Sequence, residues 1–292
     1  MVELDRKVRL ADELMAREPP PVLYHYTNRA GLTGIISSKQ LRLSAAQYLN
    51  DARELETALE LARSILGDKK ASAAGSLKGR LYERCEMLLG LLQDARDTFV
   101  FSMSDDGGDA LSQWRAYSDP GSGYAIGFDA RLLQRDGPIR DVGILGQCVY
   151  DEPRQRQLIN EAIAHAEASL PASPPNEEMA LRTATSDFGT DFAMAAPLIK
   201  DAAFKDEHER RLMVPGSSVW DSGVAFRDKG SLLVPFRTVG IELAGNTLPI
   251  RELVIGPTPH RALEERAVSG LLTISGAPGV KVRSSVVPYR DW

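Results

Sequence analysis

The chain has 292 residues, 43% hydrophobic and 26% charged, so one domain can bury a sizeable core without metal or disulfide staples. A net charge of -5 excludes a chain coated in basic residues for nucleic acid and leaves room only for a local basic cleft. The two cysteines, Cys85 and Cys148, form no CxxC motif and no His/Cys cluster, which excludes a structural zinc site; both are expected to be reduced and buried.

The first nine residues carry charges throughout and no apolar h-region, so they do not read as a signal peptide. No apolar run approaches the ~20 residues of a membrane span. The expectation is a cytoplasmic protein that makes no use of a membrane.

In chain order, residues 1–18 read as an amphipathic helix, and Val22–Thr27 as a short β-rich strand entered through Pro19-Pro20-Pro21. A helix over Ala30–Ser38 and a strand segment Leu41–Ser44 follow. Asp51 with Glu54 three positions later makes a capping box, opening a helix that Gly67-Asp68-Lys69-Lys70 is expected to break. A second helix covers about Leu77–Leu92.

From Thr98 the period shortens to two. Strands are expected over Thr98–Ser104, Tyr124–Phe128 and Gln147–Tyr150, with a short helix carrying Trp114 and Tyr117 between the first two. Residues 154–200 form a helical block split at Pro171–Pro175. Strand character returns at Arg210–Val214, Leu232–Phe236, Thr238–Leu243, Leu248–Gly256 and Val280–Val287, with a helix over 260–275. Helices segregate from strands, which predicts a single α+β domain over 1–292 with a mixed, mostly antiparallel sheet and a helical insertion at 154–200.

Four segments hold polar residues in apolar frames. His25 lies on the first strand between Tyr24, Tyr26 and Thr27, where a rigid imidazole titrates near neutrality. Ser102 and Ser104 alternate on a strand, so both hydroxyls face one side. Trp114 and Tyr117 precede the Gly121/Gly123 turn and Tyr124. Glu207 and Glu209 share a face if that piece is extended. Gly121–Gly127 enters a strand instead of opening a helix, so it is not a dinucleotide fingerprint; no Walker loop, GxSxG elbow or HExxH occurs. Singly, each segment has a bland structural explanation: a core histidine, backbone-bonded serines, core aromatics, a solvated charge run. Their order along the chain is harder to dismiss.

Those residues resemble a bacterial family known as domain of unknown function 2971. The resemblance runs through Leu23-Tyr-His-Tyr-Thr27, Leu49-Asn-Asp-Ala-Arg-Glu54, Phe101-Ser-Met-Ser104, Gln113-Trp-Arg-Ala-Tyr117, Gly123-Tyr-Ala-Ile-Gly-Phe128, Phe204-Lys-Asp-Glu-His-Glu-Arg-Arg-Leu212, Ile255-Gly-Pro257 and Ser285-Val-Val-Pro-Tyr-Arg290. More distantly, the early histidine strand, the following helix and the x-Leu-x-x-Ser segment resemble the ADP-ribosyltransferase superfamily of the His-Tyr-Glu type. That resemblance implies a split sheet, NAD as substrate, no metal, and a protein or nucleic-acid acceptor in a toxin or phage-defence setting. His25 would take the first position and donate to a ribose hydroxyl. Tyr117, with Tyr124 or Trp114 as alternatives, would stack on nicotinamide. Glu209, with Glu207 as alternate, would stabilise the developing oxocarbenium. Tyr26, Thr27, Ser102 and Ser104 would line the cofactor pocket, and Arg29, Arg42 and Arg115 would meet phosphates. A non-catalytic nucleotide- or protein-binding module is the alternative, and a nucleic-acid-processing enzyme using the His/Glu pair the third reading. Acceptor and oligomeric state stay open.

Overall fold

A computed structural model describes residues 10–49, 54–95, 97–119, 121–134, 143–245 and 247–288. The elements begin with α1 (Leu10–Ala16), β1 (Val22–Thr27), α2 (Arg29–Ser38), β2 (Gln40–Ala45), α3 (Glu54–Ser72) and α4 (Leu77–Ala95). The middle of the chain forms β3 (Asp97–Ser104), α5 (Leu111–Tyr117), β4 (Tyr124–Asp129), α6 (Ala130–Gln134), β5 (Ile144–Gln147), α7 (Glu152–Ser169) and α8 (Glu177–Ala195). The remainder is β6 (Glu209–Ser217), β7 (Ala225–Lys229), β8 (Leu232–Gly240), β9 (Ile250–Ile255), α9 (Arg261–Ile274) and β10 (Lys281–Ser284). This is the expected α+β class.

One mixed sheet runs β10-β9-β4-β1-β3-β2-β8-β7, with β6 and β5 branching from β3. Among the described strands only β10 with β9 pairs in parallel; the other strand pairings are antiparallel. The sheet opens at β3. One edge of β3 is covered by β6 along most of its length. On the other edge β2 reaches only Phe99 and Val100, and β1 reaches only Ser104. Phe101, Ser102 and Met103 therefore have no described strand partner there.

Alternation along the strands sorts the core into two layers. Val100, Ile144 and Met213 face helices α3, α4, α7 and α8. Phe99, Phe101, Met103 and Leu212 face α2 and α9 on the opposite side. A small third cluster gathers Tyr24, Tyr26, Trp114, Ala125 and Val254. Local signals set the helix ends: Asn28 accepts from Gly31 N, Asp151 from Arg154 N and Asn176 from Met179 N.

Several boundaries differ from expectation. Gly67 does not break α3, because a helical glycine costs only about 1 kcal/mol and the buried stripe Leu59, Ala62, Ile65 and Leu66 outweighs it. The strand expected at Gln147–Tyr150 is β5, ending at Gln147; Val149 instead makes a single bridge to Ile199. The two strands expected at Leu232–Phe236 and Thr238–Leu243 are one strand, β8, with Pro235 one residue past the end of the β2 ladder. Strand β7 was not expected, since Ala225-Phe-Arg-Asp-Lys229 is charged and lies on an exposed sheet edge. Of the N-terminal helix only Leu10–Ala16 is described, and the Asp51 capping box lies outside the described residues. Cys85 and Cys148 are both buried thiols, and no helix among the described residues is long and apolar enough to cross a membrane.

Candidate functional site

Glu207 and Glu209 do not share a face through extended chain. Asp201 caps a 3₁₀ turn over Ala202–Glu207, and His208 ends it in the left-handed region at φ 45°, so β6 begins only at Glu209. The turn nonetheless brings both carboxylates to one cation. Lys200 Nζ lies 2.6 Å from Glu209 Oε2 and also bonds Glu207 Oε2. Arg211, two residues along β6 and on the same face, grips Glu209 with Nε at 2.9 Å and Nη2 at 3.0 Å. Tyr117 donates to Glu207 Oε1 at 3.2 Å, and the Ser104 hydroxyl donates to the Glu207 carbonyl at 2.7 Å.

This network is buried: Arg211 is 1% exposed, and Glu209 and Lys200 are each 5% exposed. Burial alone would raise the Glu209 carboxyl, but Arg211 and Lys200 outweigh it and hold it down to about 2. Burial likewise opposes the Lys200 charge, and Glu209 and Glu207 overcome it, raising the ammonium. Both groups move away from neutrality, so neither exchanges protons easily at neutral pH. Beside them a cavity of about 860 Å³ is lined by Cys148, Tyr150, Gln155, Lys200 and His208, among others.

Tyr26 and Trp114 form a frame near this face. Their rings meet edge-on at 4.7 Å, Tyr26 donates to Asp106, and the Trp114 indole donates to Asp109 at 2.8 Å. At 1% exposure Trp114 offers no surface for stacking on a ligand. Tyr124 is also buried, with its hydroxyl donating to Glu264. Thr27 packs against α2, where a Cβ at Gly31 would come within 1.8 Å of the Thr27 hydroxyl. Arg29, one of the expected phosphate ligands, pairs with Glu264 at 3.2 Å.

His25 does not join the glutamates. In antiparallel pairs, directly opposed residues share a face. Tyr24 lies opposite Ser104, and Ser104 opposite Glu209, so these three face one way and His25 the other. The His25 ring sits in the opening at β3, 4.1 Å from the Phe101 ring, with Nδ1 2.9 Å from the Ser102 carbonyl oxygen. Ser102 thus meets His25 through its backbone. A carbonyl only accepts, so Nδ1 carries the proton and Nε2 of the neutral ring is an acceptor. The sequence expectation that His25 donates to a ligand is corrected accordingly. Burial pushes the imidazole down to about 4; the Ser102 bond opposes this and the nearby Arg227 guanidinium adds to it. Nε2 has no hydrogen-bond partner among the described residues.

The structure therefore groups Tyr117, Ser104, Glu207 and Glu209, frames them with Tyr26 and Trp114, and sets His25 apart with Thr27 and Tyr124. Lys200 and Arg211 were missed from sequence. The i, i+2 spacing of Glu209 and Arg211 on a strand was the available signal, whereas nothing local marks Lys200.

Residues 113–212, about a third of the chain, match the model of a family described as a protein of unknown function (DUF2971). Tyr117, Lys200, Glu207, Glu209 and Arg211 all fall within that stretch, while His25 precedes it. No curated protein and no solved structure matches the chain.

Proposed function

We propose that the chain binds a nucleotide of the NAD class at the opening between β1 and β3. The observation that carries this reading is His25: a neutral imidazole fixed at Nδ1 on a central strand, with a bare acceptor at Nε2. A ribose hydroxyl is a donor suited to that atom, and the sequence resemblance makes NAD the first ligand to try. Transfer of ADP-ribose would further require a carboxylate beside the same ribose. Glu209 faces the other side of the sheet and is already bound by Lys200 and Arg211. Binding is therefore better supported than transfer.

Thermal shift and calorimetry with NAD, ADP-ribose and adenosine test the reading. NAD at a hundredfold excess over its dissociation constant should stabilise wild type by about 2.7 kcal/mol. His25→Asn keeps a donor for the Ser102 carbonyl but removes Nε2, and it should lose most of that gain. Nicotinamide release, followed in parallel, separates the alternatives. Binding without release marks a binding module. Release that disappears in Glu207→Gln restores the transferase, with Glu207 as its carboxylate. A flat response to every ligand overturns the proposal.

A further inference from the structure

Strand β8 lies between β2 and β7, and Phe236 on it stands opposite Ser44 of β2 and Ala225 of β7 at once. Arg42 and Ser44 on β2 and Arg227 on β7 share a face with Phe236, by the same alternation. From β7, Arg227 reaches across β8 and donates through Nη2 to the Ser44 hydroxyl at 2.9 Å. From β2, the Arg42 guanidinium stands 5.3 Å from the centre of the Phe236 ring. Two guanidiniums thus come from strands on either side of β8, near enough for Arg227 to feel the Arg42 charge.

Three features of this meeting are unusual for a merely structural contact. Arg227 Nε is buried and has no hydrogen-bond partner. Neither arginine pairs with a carboxylate among the described residues. Burial and then the neighbouring Arg42 charge lower the Arg227 pKa, so the cation is held against a cost. An unpaired buried donor and two like charges in proximity are both relieved by the same thing, a bound anion.

We infer that Arg227, Arg42 and Ser44 form a site for a phosphate group. The donor set favours phosphate over carboxylate. Two planar forks and one hydroxyl offer more donors than the two coplanar oxygens of a carboxylate engage, which suits the larger oxygen set of a phosphate. Ser44, 5% exposed, accepts from Arg227 and keeps its own O–H to donate. By register Ser44 stands opposite Val100 and so faces away from His25, but the Arg227 charge reaches the imidazole, so the two sites communicate only through the opening beside β3. It deepens the nucleotide reading by naming where the charged part of the ligand sits, but it stands on its own observations.

The test is calorimetry on the full chain with pyrophosphate and with ADP-ribose, in wild type, Arg227→Gln, Arg42→Gln, Arg227→Lys and His25→Asn. Wild type should bind pyrophosphate, and each glutamine variant should weaken it at least tenfold. Lysine should fail to rescue position 227, because a point charge lacks the fork. Without ligand, Arg227→Gln should melt no lower than wild type, since it removes a repelled cation. Unchanged pyrophosphate affinity in Arg227→Gln overturns the inference. So does full affinity in Arg42→Gln combined with a lower melting point in Arg227→Gln, which would make Arg227 structural. Arginine-dependent pyrophosphate binding with no added affinity for ADP-ribose sinks the ribose reading and leaves the phosphate site. ADP-ribose binding that depends on His25 alone does the reverse.

Discussion

The two flanks of β3 use charge in opposite ways. On the β6 side, Glu209, Lys200 and Arg211 are buried and mutually satisfied, and their ionised forms are strongly favoured. On the flank of β1, β2, β8 and β7, His25, from one face, keeps a bare acceptor, and Arg227, from the other, a buried unbonded donor. Perturbed titration alone does not separate them, because both regions are perturbed. The separating feature is whether the perturbing partners also complete every hydrogen bond. A closed network is a fastening; an open one is a place for a ligand.

The largest effect expected from this contrast is at Glu209. Glu209→Gln leaves Lys200 and Arg211 buried without their shared anion, and loss of one partner of a buried pair costs about 3 to 5 kcal/mol. Glu207 has an exposed edge, so Glu207→Gln should cost about 1 kcal/mol. Urea midpoints check both. Near-equal losses would mean the network is not centred on Glu209. The difference also shows why Glu209→Gln is a poor catalytic probe: loss of activity would follow from loss of fold.

A second prediction separates the regions by pH. The folded His25 imidazole lies near 4 against an ordinary 6.5, so the fold favours its neutral form. Its contribution is full above pH 6.5 and declines as pH falls toward 4, by up to about 3 kcal/mol. Glu209 is depressed from 4.5 to about 2, so its contribution is full above pH 4.5 and declines as pH falls toward 2. Denaturant unfolding at stepped pH should show two successive losses, and His25→Asn should remove the upper one. A single loss below pH 4.5 in wild type would show that His25 is not held neutral by the fold.

Much of the fold was legible because period and caps are local. Strands β1, β3 and β4, the helices α2, α5 and α9, and the helical pair split at Pro171–Pro175 follow from spacing and capping residues that act within a few positions. What failed was set by distant partners. Gly67 looks like a breaker until α3 is packed on α4, and Arg227 looks like part of a solvated charge run until β7 is seen pairing with β8. The site failed for the same reason. His25, Ser104, Tyr117, Glu207 and Glu209 could be named from sequence, but the face each presents depends on strand register. A change of one residue in the β1/β3 pairing would have turned His25 toward Glu209.

The smallest expected effect bears on that register most directly. Tyr117 is 38% exposed and its hydroxyl donates to Glu207, whose carbonyl is separately held by Ser104. Tyr117→Phe removes one partly exposed hydrogen bond and should cost about 0.5 kcal/mol. Its ring belongs to the Glu209 face, not to the opening that holds His25. Nucleotide affinity should therefore survive both Tyr117→Phe and Tyr117→Ala, whereas a ring that stacks on a base or nicotinamide would tolerate phenylalanine and fail with alanine. Calorimetry with NAD on this pair of variants decides it. A tenfold loss confined to Tyr117→Ala would mean that the ligand spans both faces through the gap at Phe101–Met103, and would join the two regions into one site.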